Sequence, residues 1–379
     1  MKTKPHVAFV TDALLGIGGA EKTLFAALDS FPAADVFTLV YDQRAFAATP
    51  VANTRVFTSY LDRLPFARTH HRLFLPLMPH AIERFKLRDY DIVVSFSYAV
   101  ANGVKAEGGR HLSYTHTPMR YAWRDLNIRG DKYGNNPIIS GYLRSFRRWD
   151  RAAAARVQAF AVISNDIARQ VKADYGREAR VIYPPVETDR FHAGRPRDEY
   201  YAVVTRLVAH KRVDLIVDAF TALGLPLKII GDGPEKVRLM QRAGSNVEFL
   251  GLRSDAEVAE LLSRARAFVS AADEDFGIAI VEAQASGCPV ISYGRGGALE
   301  TVVDGYTGLF FPEQSADCIV DSVRAFERAA ASFNSLAIAD HARRFDKAVF
   351  QRDFERFVMG TPSQQMLQYA ASPQAVPVG

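Results

Sequence analysis

Short runs of apolar residues recur along the chain. Each is followed by a polar or glycine-containing turn and then by a segment with helical spacing. Apolar runs of this length, bounded by turn residues, are typical of buried strands. Their alternation with helical segments predicts two sets of βα units, each built on a parallel sheet. The clearest runs lie at residues 7–10, 35–40, 92–95, 160–163, 201–204, 227–230, 267–269 and 289–291.

The segment between the last two of these runs contains an acidic loop and a predicted helix. The helical pattern covers 277–286, and Gly287 stands where a glycine would end the helix. Glu274 precedes the helix and Glu282 lies inside it. A helix N-terminus binds anions because its first amides are unpaired and the helix dipole is positive there. The segment is therefore either a phosphate site flanked by two acids or an ordinary βα turn with acids placed favourably for the dipole.

Two cations occupy the turn that follows the run at 201–204. Arg206 and Lys211 are five residues apart between a predicted strand and the predicted helix 213–223. Both can point into one anionic site, where they would stabilise the charge that develops on a departing phosphate. The alternative is two surface cations beside a loop.

Two further candidates lie in the first half of the chain. A glycine-rich turn at 16–21 follows the first strand, but Glu21 stands where the dinucleotide fingerprint requires its last glycine. Such a turn lets the backbone approach a phosphate or sugar closely. His116 follows another predicted strand, at the edge where α/β sheets bind ligands. A lone histidine there can equally be a structural one.

The spacing around Glu274 and Glu282 carries a family resemblance. Phe-Gly-Ile follows the first glutamate, and Ala-x-Ala-x-Gly-x-Pro-Val-Ile follows the second. This pattern resembles the signature of retaining GT-B glycosyltransferases, the large group 1 family that includes bacterial mannosyl- and glucosyltransferases. The likeness continues through residues 296–309. The family also has Gly-Arg-x-x-x-x-Lys-Gly; here Thr205 and Arg212 replace the glycines, while Arg206 and Lys211 keep the two cations of the pattern. The departure therefore concerns the shape of that loop and not these two charges.

The resemblance implies an α/β fold of the GT-B class, with two Rossmann-like domains facing across a cleft and a C-terminal helix that crosses back to the first domain. We expect residues 1–184 to form the acceptor-side domain and 185–340 the sugar-nucleotide-binding domain. Residues 341–360 would be the crossover helix packing on the first domain. Residues 361–379 are polar and rich in Pro and Ala, which predicts a disordered tail.

The resemblance also implies a reaction. A hexose would move from a sugar nucleotide to a saccharide acceptor with retention of anomeric configuration, in cell-surface polysaccharide assembly. The segment 116–123 is similar to family members that act on lipid-linked saccharides, often as mannosyltransferases, so mannose, a GDP-mannose donor and a lipid-linked acceptor are expected. The donor is a substrate, and no cofactor is expected. The alternative is a GT-B-fold sugar-nucleotide epimerase, which needs no acceptor.

Site roles follow from the same resemblance. Cations are already supplied by the protein, so we expect no metal, although Asp273-Glu274-Asp275 superficially resembles the Asp-x-Asp metal site of the other glycosyltransferase fold. The expected catalytic residues are His116, Glu274, Arg206 and Lys211. Arg206 and Lys211 are expected to contact the diphosphate, and the amides of Phe276, Gly277 and Ile278 the phosphate and sugar hydroxyls. Glu274 is expected to contact the hexose and Glu282 the ribose. The expected contacts from the first domain are Gly18, Gly19 and His116.

The composition limits the number of domains and the cellular location that the chain can have. The chain has 379 residues, of which 48% are hydrophobic and 23% charged, which suits two globular domains. No apolar run reaches the roughly 18 residues of a membrane-spanning helix, and the first residues lack a signal-peptide pattern. Cys288 and Cys318 are the only cysteines, too few for a disulfide framework. These features predict a cytoplasmic protein.

The net charge of +5 is unevenly distributed. Basic residues alternate with aliphatic and aromatic ones over 55–88, and a second basic cluster covers 120–156. Such a stretch can lie on an anionic membrane surface, which predicts peripheral attachment to the inner face of the plasma membrane. A solvated basic face is the alternative. Nucleic acid is not expected as a partner, because no nucleic-acid-binding module is recognised.

Overall fold

The computed structural model describes residues 5–124 and 137–360. These residues divide into two compact units. The first contains the described residues up to Pro185 and those from Phe350 onward, and the second contains Val186–Val349. Each unit is built on its own parallel sheet.

Within the described part of the first unit, seven parallel strands form one sheet in the order β3-β2-β1-β4-β5-β6-β7. The strands are β1 Val7–Thr11, β2 Asp35–Thr38, β3 Val56–Thr58, β4 Ile92–Ser97, β5 Arg110–Thr115, β6 Ala159–Val162 and β7 Ala179–Val181. The helices are α1 Gly19–Ser30, α2 Met78–Ile82, α3 Arg120–Trp123, α4 Pro137–Arg156 and α5 Asn165–Tyr175.

In the second unit, whose residues are all described, six parallel strands take the order β10-β9-β8-β11-β12-β13. The strands are β8 Tyr201–Val204, β9 Leu227–Ile230, β10 Val247–Gly251, β11 Phe268–Ser270, β12 Val290–Tyr293 and β13 Gly308–Phe311. The helices are α6 Val213–Leu223, α7 Lys236–Arg242, α8 Asp255–Arg264, α9 Ile278–Ala285, α10 Ala298–Thr301, α11 Ala316–Ala329 and α12 Ser335–Ala342.

The central strands of both sheets are mostly apolar because both of their faces are buried. Every residue of β1 and β4 is buried. Strands that are covered on two sides read as continuous hydrophobic runs instead of alternating ones. The predicted α/β class with two parallel, Rossmann-like sheets is confirmed.

Strand order reverses once in each sheet. In the first unit β1 pairs with β2 on one side and with β4 on the other, and in the second unit β8 lies between β9 and β11. The loops that leave such neighbouring strands in opposite directions open a crevice at the carboxyl edge of the sheet, where α/β proteins bind ligands. The loops after β1 and β4, and those after β8 and β11, are therefore the places to look for a site.

The C-terminal segment differs from the single helix expected over 341–360. Residues up to 342 belong to α12, a short 3₁₀ turn follows at Arg343–Phe345, and helix α13 begins at Lys347 and ends at Met359. The break occurs because Asp346 has an extended backbone and its Oδ1 accepts a hydrogen bond from the Ala348 amide, at 2.8 Å, as an N-cap does. From Phe350 onward the helix belongs to the first unit, so the predicted crossing is confirmed with a later start. The predicted tail at 361–379 lies outside the described residues.

Helix α13 is fixed to the first unit by aromatic packing. Phe354 is fully buried. Its ring lies against rings of β1, β4 and β5 at centroid distances of 5.7 to 6.1 Å, mostly edge to face, as aromatic pairs prefer. The contacting rings of these strands are those of Phe9, Phe96 and Tyr114.

Replacing Phe354 with alanine should destabilise the first unit strongly. The variant loses the transfer free energy of a buried ring and leaves a cavity among other rings, so the free energy of unfolding should fall by about 3–5 kcal/mol. Urea unfolding followed by far-ultraviolet circular dichroism measures this. Met359→Ala is the control, because Met359 is 51% exposed on the same helix. A loss below about 1 kcal/mol for Phe354→Ala would contradict the packing role.

Candidate active site

The predicted strand–loop–helix–strand unit is present in the second unit. Strands β11 and β12 are parallel neighbours, with Phe268 opposite Val290, and α9 connects them. Gly287 follows the helix with φ +70°, as predicted for a residue that ends it in the left-handed region. The acidic loop therefore leaves the carboxyl end of β11, at the reversal point of the sheet.

The backbone at Glu274 is held by the loop after β12. The Gly297 amide donates to the Glu274 carbonyl oxygen at 2.7 Å. Gly296 has φ +59°, and a Cβ there would lie 2.4 Å from the same oxygen. Only glycine allows this approach, so the two loops are packed against each other and the position of Glu274 is fixed.

The N-terminus of α9 offers unpaired amides. Gly277 precedes the helix with φ +91°, a conformation that favours glycine. Among the described residues, the amides of Gly277 and Ile278 have no hydrogen-bond acceptor, and both residues are partly exposed. The Phe276 ring is buried against the Phe345 ring, with centroids 5.4 Å apart, which anchors the start of the helix.

An ion pair joins the two loops of the reversal point. Lys211 lies in the short 3₁₀ turn after β8, and its Nζ donates to both carboxylate oxygens of Glu274, each at 2.7 Å. The side chains are 21% and 20% exposed, so the pair is screened only in part. Arg206, in the same loop as Lys211, is exposed and has no side-chain partner among the described residues. Two cations and one carboxylate are therefore available at this edge.

The loop that carries these cations keeps a left-handed residue without a glycine. Arg212, which replaces the second glycine of the family pattern, has φ +50° and ψ +35°. Its guanidinium donates to both carboxylate oxygens of Asp214, at 3.2 and 3.3 Å, in the first turn of α6. Thr205, at the first replaced glycine, is not among the residues with positive φ.

Glu282 is the fifth residue of α9 and is half-buried. It lies one turn after Ile278 on the same helix face, because residues four apart are neighbours on a helix. The helix thus carries one predicted carboxylate and the unpaired amides at its start.

In the first unit, His116 follows β5 at the carboxyl edge. Its amide donates to the Ser97 carbonyl oxygen at 2.8 Å, and its ring lies edge-on to the Tyr114 ring at 5.3 Å. The side-chain Nε2 is buried and has no partner among the described residues. Burial lowers the pKa of His116 to about 4, so the imidazole is neutral near pH 7.

One amide of the glycine-rich turn is hydrogen-bonded within the turn itself. Gly18 precedes α1, and its N–H donates to the Glu21 carboxylate at 2.8 Å. Burial raises the pKa of Glu21, while hydrogen bonds from backbone amides lower it. The Gly18 amide, expected to contact substrate, is thus already satisfied within the turn, whereas Gly19 begins the helix.

Asp12, immediately after β1, was given no role from the sequence. Its carboxylate accepts four backbone N–H groups, at 2.6 to 2.9 Å, from the segment that follows β4. Burial raises the pKa of Asp12, and the four amides lower it. The carboxylate closes the reversal point of the first sheet. The sequence signal that could have indicated this role is an acidic residue directly after a buried strand. The four donors are the amides of Tyr98, Ala99, Val100 and Ala101.

A second carboxylate that the sequence did not single out is Asp150 on α4. Its Oδ2 accepts hydrogen bonds from Trp123 Nε1 at 2.7 Å and from the Tyr175 hydroxyl at 2.9 Å. The side chain is almost completely buried, and its Oδ1 has no partner among the described residues. Burial raises the pKa of Asp150 to about 7, and the two donors only partly oppose this.

The predicted site residues therefore fall into two groups. The first group lies at the carboxyl edge of the second sheet and consists of Arg206, Lys211, Glu274, Phe276, Gly277, Ile278 and Glu282. The second lies at the carboxyl edge of the first sheet and consists of Gly18, Gly19 and His116. Within residues 5–124 and 137–360, no group of three or more His, Cys, Asp or Glu side chains is placed to hold a metal ion.

Comparison with known families agrees with this architecture. Residues 186–345 match the family model for glycosyl transferases group 1, and residues 17–190 match that for Glycosyltransferase Family 4. Together the two matches span most of the chain. The second unit is thus similar to group 1 glycosyltransferases, and most of the first unit is similar to Glycosyltransferase Family 4. The first match contains the whole Lys211–Glu274 region.

Individual relatives of this protein are distant. It is 26% identical over 196 residues to the uncharacterized glycosyltransferase MJ1178 of Methanocaldococcus jannaschii, covering 50% of this chain and 56% of that protein. It is 36% identical over 110 residues, 29% of each chain, to a GDP-mannose-dependent alpha-mannosyltransferase of Mycobacterium tuberculosis. The alignments thus span about half, or less, of the length of these relatives.

A solved structure shares the fold. Anabaena Alr3699/HepE, in complex with UDP and glucose, superimposes with a TM-score of 0.70 at 18% identity, covering 94% of this chain and all of that chain. At this identity the match supports the GT-B fold.

The buried Asp150 predicts a pH dependence of stability. The unfolded carboxyl has a pKa near 3.8 and the folded one about 7. Between these values the folded state holds the proton and the unfolded state does not, so the contribution of Asp150 to stability falls as the pH rises to about 7 and is constant above it. In Asp150→Asn a neutral amide oxygen still accepts from Trp123 and Tyr175. The free energy of unfolding of the variant relative to wild type should therefore increase by about 2–3 kcal/mol between about pH 5 and pH 8.

Urea unfolding at several pH values in this range measures the free energy of unfolding of the variant and of wild type. The buried histidines titrate in both proteins, so their effect cancels when one value is subtracted from the other. Asp89→Asn, at an exposed carboxyl of the same unit, is the control and should show no such increase. Parallel pH profiles for Asp150→Asn and wild type would show that Asp150 is already ionised in the folded protein.

Proposed function

We propose that this protein is a retaining glycosyltransferase that transfers a hexose from a sugar nucleotide to a saccharide acceptor. The observation that carries this proposal is the Lys211–Glu274 pair at the carboxyl edge of the second sheet. The loop of Lys211 also carries the exposed Arg206, and the loop of Glu274 leads into the amides at the start of α9. Cations and amides suit a diphosphate, and a carboxylate suits sugar hydroxyls. Both kinds of group meet at the place where α/β sheets bind ligands.

The donor would be held by these groups. Arg206, Lys211 and the amides of 276–278 would bind the diphosphate and stabilise the negative charge that develops on it. Glu274 would accept hydrogen bonds from hexose hydroxyls, and Glu282 from the ribose. When the phosphate displaces the Lys211 ammonium from one oxygen of Glu274, that oxygen becomes available to the sugar.

The geometry favours transfer without a protein nucleophile. Both oxygens of Glu274 accept from the Lys211 ammonium, which lowers the nucleophilicity of the carboxylate. We propose a front-face reaction, in which the bond between the anomeric carbon and the phosphate oxygen breaks. The acceptor oxygen bonds to that carbon on the same face, and its proton goes to the departing phosphate. Cationic side chains supply the charge, so the reaction would need no metal and no cofactor.

Mannose and GDP-mannose are the proposed sugar and donor. The 36% identity to a GDP-mannose-dependent alpha-mannosyltransferase supports this choice, whereas Alr3699/HepE is a complex with UDP and glucose. The acceptor would be a lipid-linked saccharide in cell-surface polysaccharide assembly, reached from the cytoplasmic face of the membrane. In the first unit, Gly18, Gly19 and the neutral His116 would contact substrate. No helix among the described residues is both long and apolar enough to cross a membrane.

A thermal-shift screen over GDP-, UDP- and ADP-sugars tests donor binding, because a ligand of the folded state raises the melting temperature. GDP-mannose should give the largest shift. The binder is then incubated with and without a saccharide acceptor, and the anomeric configuration of the product is read by proton NMR. Isomerised nucleotide sugar without acceptor would indicate an epimerase instead, and a product of inverted configuration would exclude the front-face reaction.

Glu274→Gln and Lys211→Met should each lower turnover by about 100-fold, or roughly 3 kcal/mol of transition-state stabilisation. Each removes a group that acts on the reacting sugar phosphate and leaves the shape of its side chain nearly unchanged. Steady-state kinetics with the identified donor measure the effect. The controls are Glu260→Gln, whose carboxylate pairs with Arg195 on the surface of the same unit, and Lys228→Met, whose ammonium lies 3.9 Å from the centroid of the Tyr200 ring. Wild-type turnover in both site variants would reject the proposed site.

Activity should persist in excess EDTA, because Arg206 and Lys211 provide the positive charge that a divalent ion provides elsewhere. Transfer rates are compared before and after exhaustive dialysis against the chelator. A loss of activity that Mn²⁺ or Mg²⁺ restores would show that a metal takes part.

A further inference from the structure

One loop of the first unit presents large apolar side chains to solvent. In residues 63–77, here named the 63–77 loop, Phe66 is 74% exposed, Leu73 75% and Leu77 44%. Other side chains of the same loop face inward, since Ala67 is buried and Phe74 and Leu75 pack against the hydrophobic core. The loop thus has an anchored inner side and an apolar outer side.

The backbone holds Phe66 outward at a cost in strain. Phe66 has φ +61°, the left-handed region that bulky side chains rarely adopt. Its carbonyl oxygen accepts hydrogen bonds from the amides of Thr69 and His70, at 3.2 and 2.7 Å, which fasten the turn. A strained residue with an exposed aromatic ring is typical of a functional contact.

The loop is also positively charged. Asp62 is the one acidic residue within 59–77, and it pairs with Arg68 at 3.2 Å. Arg63 and Arg72 are exposed and have no acidic partner among the described residues. Apolar side chains flanked by unpaired arginines are complementary to the interface of a bilayer that contains anionic lipids.

The loop borders the carboxyl edge of the first sheet. Residues 59–77 leave the carboxyl end of β3, and the Tyr41 amide, in the segment after β2, donates to Asp62 Oδ1 at 3.1 Å. At the same edge, the Ser59 hydroxyl donates to the Leu39 carbonyl oxygen at 2.9 Å. On the other side, the Tyr142 hydroxyl of α4 donates to the Leu75 carbonyl oxygen at 3.2 Å. A bilayer in contact with the loop would therefore lie beside the edge at which the first unit would contact its acceptor.

We propose that the 63–77 loop docks the first unit onto an anionic lipid bilayer, with Phe66, Leu73 and Leu77 inserted into the interface and Arg63 and Arg72 on the lipid headgroups. This deepens the membrane contact of the proposed function, whose lipid-linked acceptor it would bring to the enzyme. The docking itself requires neither donor nor acceptor.

Co-sedimentation with vesicles tests the proposal. Wild type should bind phosphatidylcholine vesicles containing phosphatidylglycerol more tightly than vesicles of phosphatidylcholine alone. Phe66→Ser combined with Leu73→Ser should weaken binding to the mixed vesicles by about tenfold or more, from lost apolar burial. Leu336→Ser is the control, since Leu336 is 66% exposed on a helix of the second unit.

The charge contribution is tested separately. Arg63→Ser combined with Arg72→Ser should weaken binding by about 20-fold at low salt and reduce its dependence on ionic strength. Arg328→Ser, at an exposed arginine of α11, should leave binding unchanged. Equal binding of both vesicle types by wild type, or unchanged binding by both double variants, would overturn the proposal.

Phe66→Trp reports insertion directly. Its tryptophan emission should shift to shorter wavelength on addition of mixed vesicles, relative to wild type, which carries only Trp123 and Trp149. An unshifted emission would exclude insertion, and a loss of self-association in the serine variants without any effect on vesicles would identify the loop as a contact between copies. Donor-induced thermal shifts measured on the same variants separate this outcome from failure of the proposed function, because those shifts depend on the second unit.

Discussion

The Lys211–Glu274 ion pair is the interaction on which the candidate site depends. It joins the loops of β8 and β11, which leave neighbouring strands and then diverge to opposite faces of the sheet. Glu274 lies three residues before the glycine that starts α9, so whatever fixes Glu274 also fixes the helix N-terminus. The pair is exchangeable because it is partly exposed and because an incoming anion can replace the carboxylate as the partner of the ammonium.

In the first unit, too, a carboxylate connects the segments that follow the two strands at the reversal point, but its hydrogen-bond partners are different. Asp12 also spans the reversal point of its sheet, but four main-chain amides satisfy its carboxylate and almost none of it is exposed. A buried acid with complete hydrogen bonding stabilises a loop and has nothing left to offer a ligand. Two acids that span the reversal points of similar sheets, from opposite sides, therefore have different roles, one structural and one available for binding.

The parts of the fold that were predictable depend on local patterns. The β11–α9–β12 unit followed from two apolar runs, a helical segment and Gly287, all within a short stretch. The break before α13 was missed because Phe345, Phe350 and Phe354 are compatible with one continuous helix, while the capping signal is the single residue Asp346. The role of Asp12 could not be predicted, since its partners are 86 to 89 residues away along the chain. The Lys211–Glu274 contact joins residues 63 apart, and only the resemblance placed both in one site.

Arg212 has a consequence for how the loop can vary among descendants of this sequence. A left-handed backbone at a non-glycine residue costs about 1–2 kcal/mol, and the bidentate contact to Asp214 offsets part of that cost. The two positions are thus energetically coupled. If glycine replaces Arg212 first, the strain disappears and the Asp214 carboxylate is no longer needed to offset it. If Asp214 is lost first, the strain at Arg212 remains without compensation. Substitutions at this pair should therefore accumulate in a preferred order.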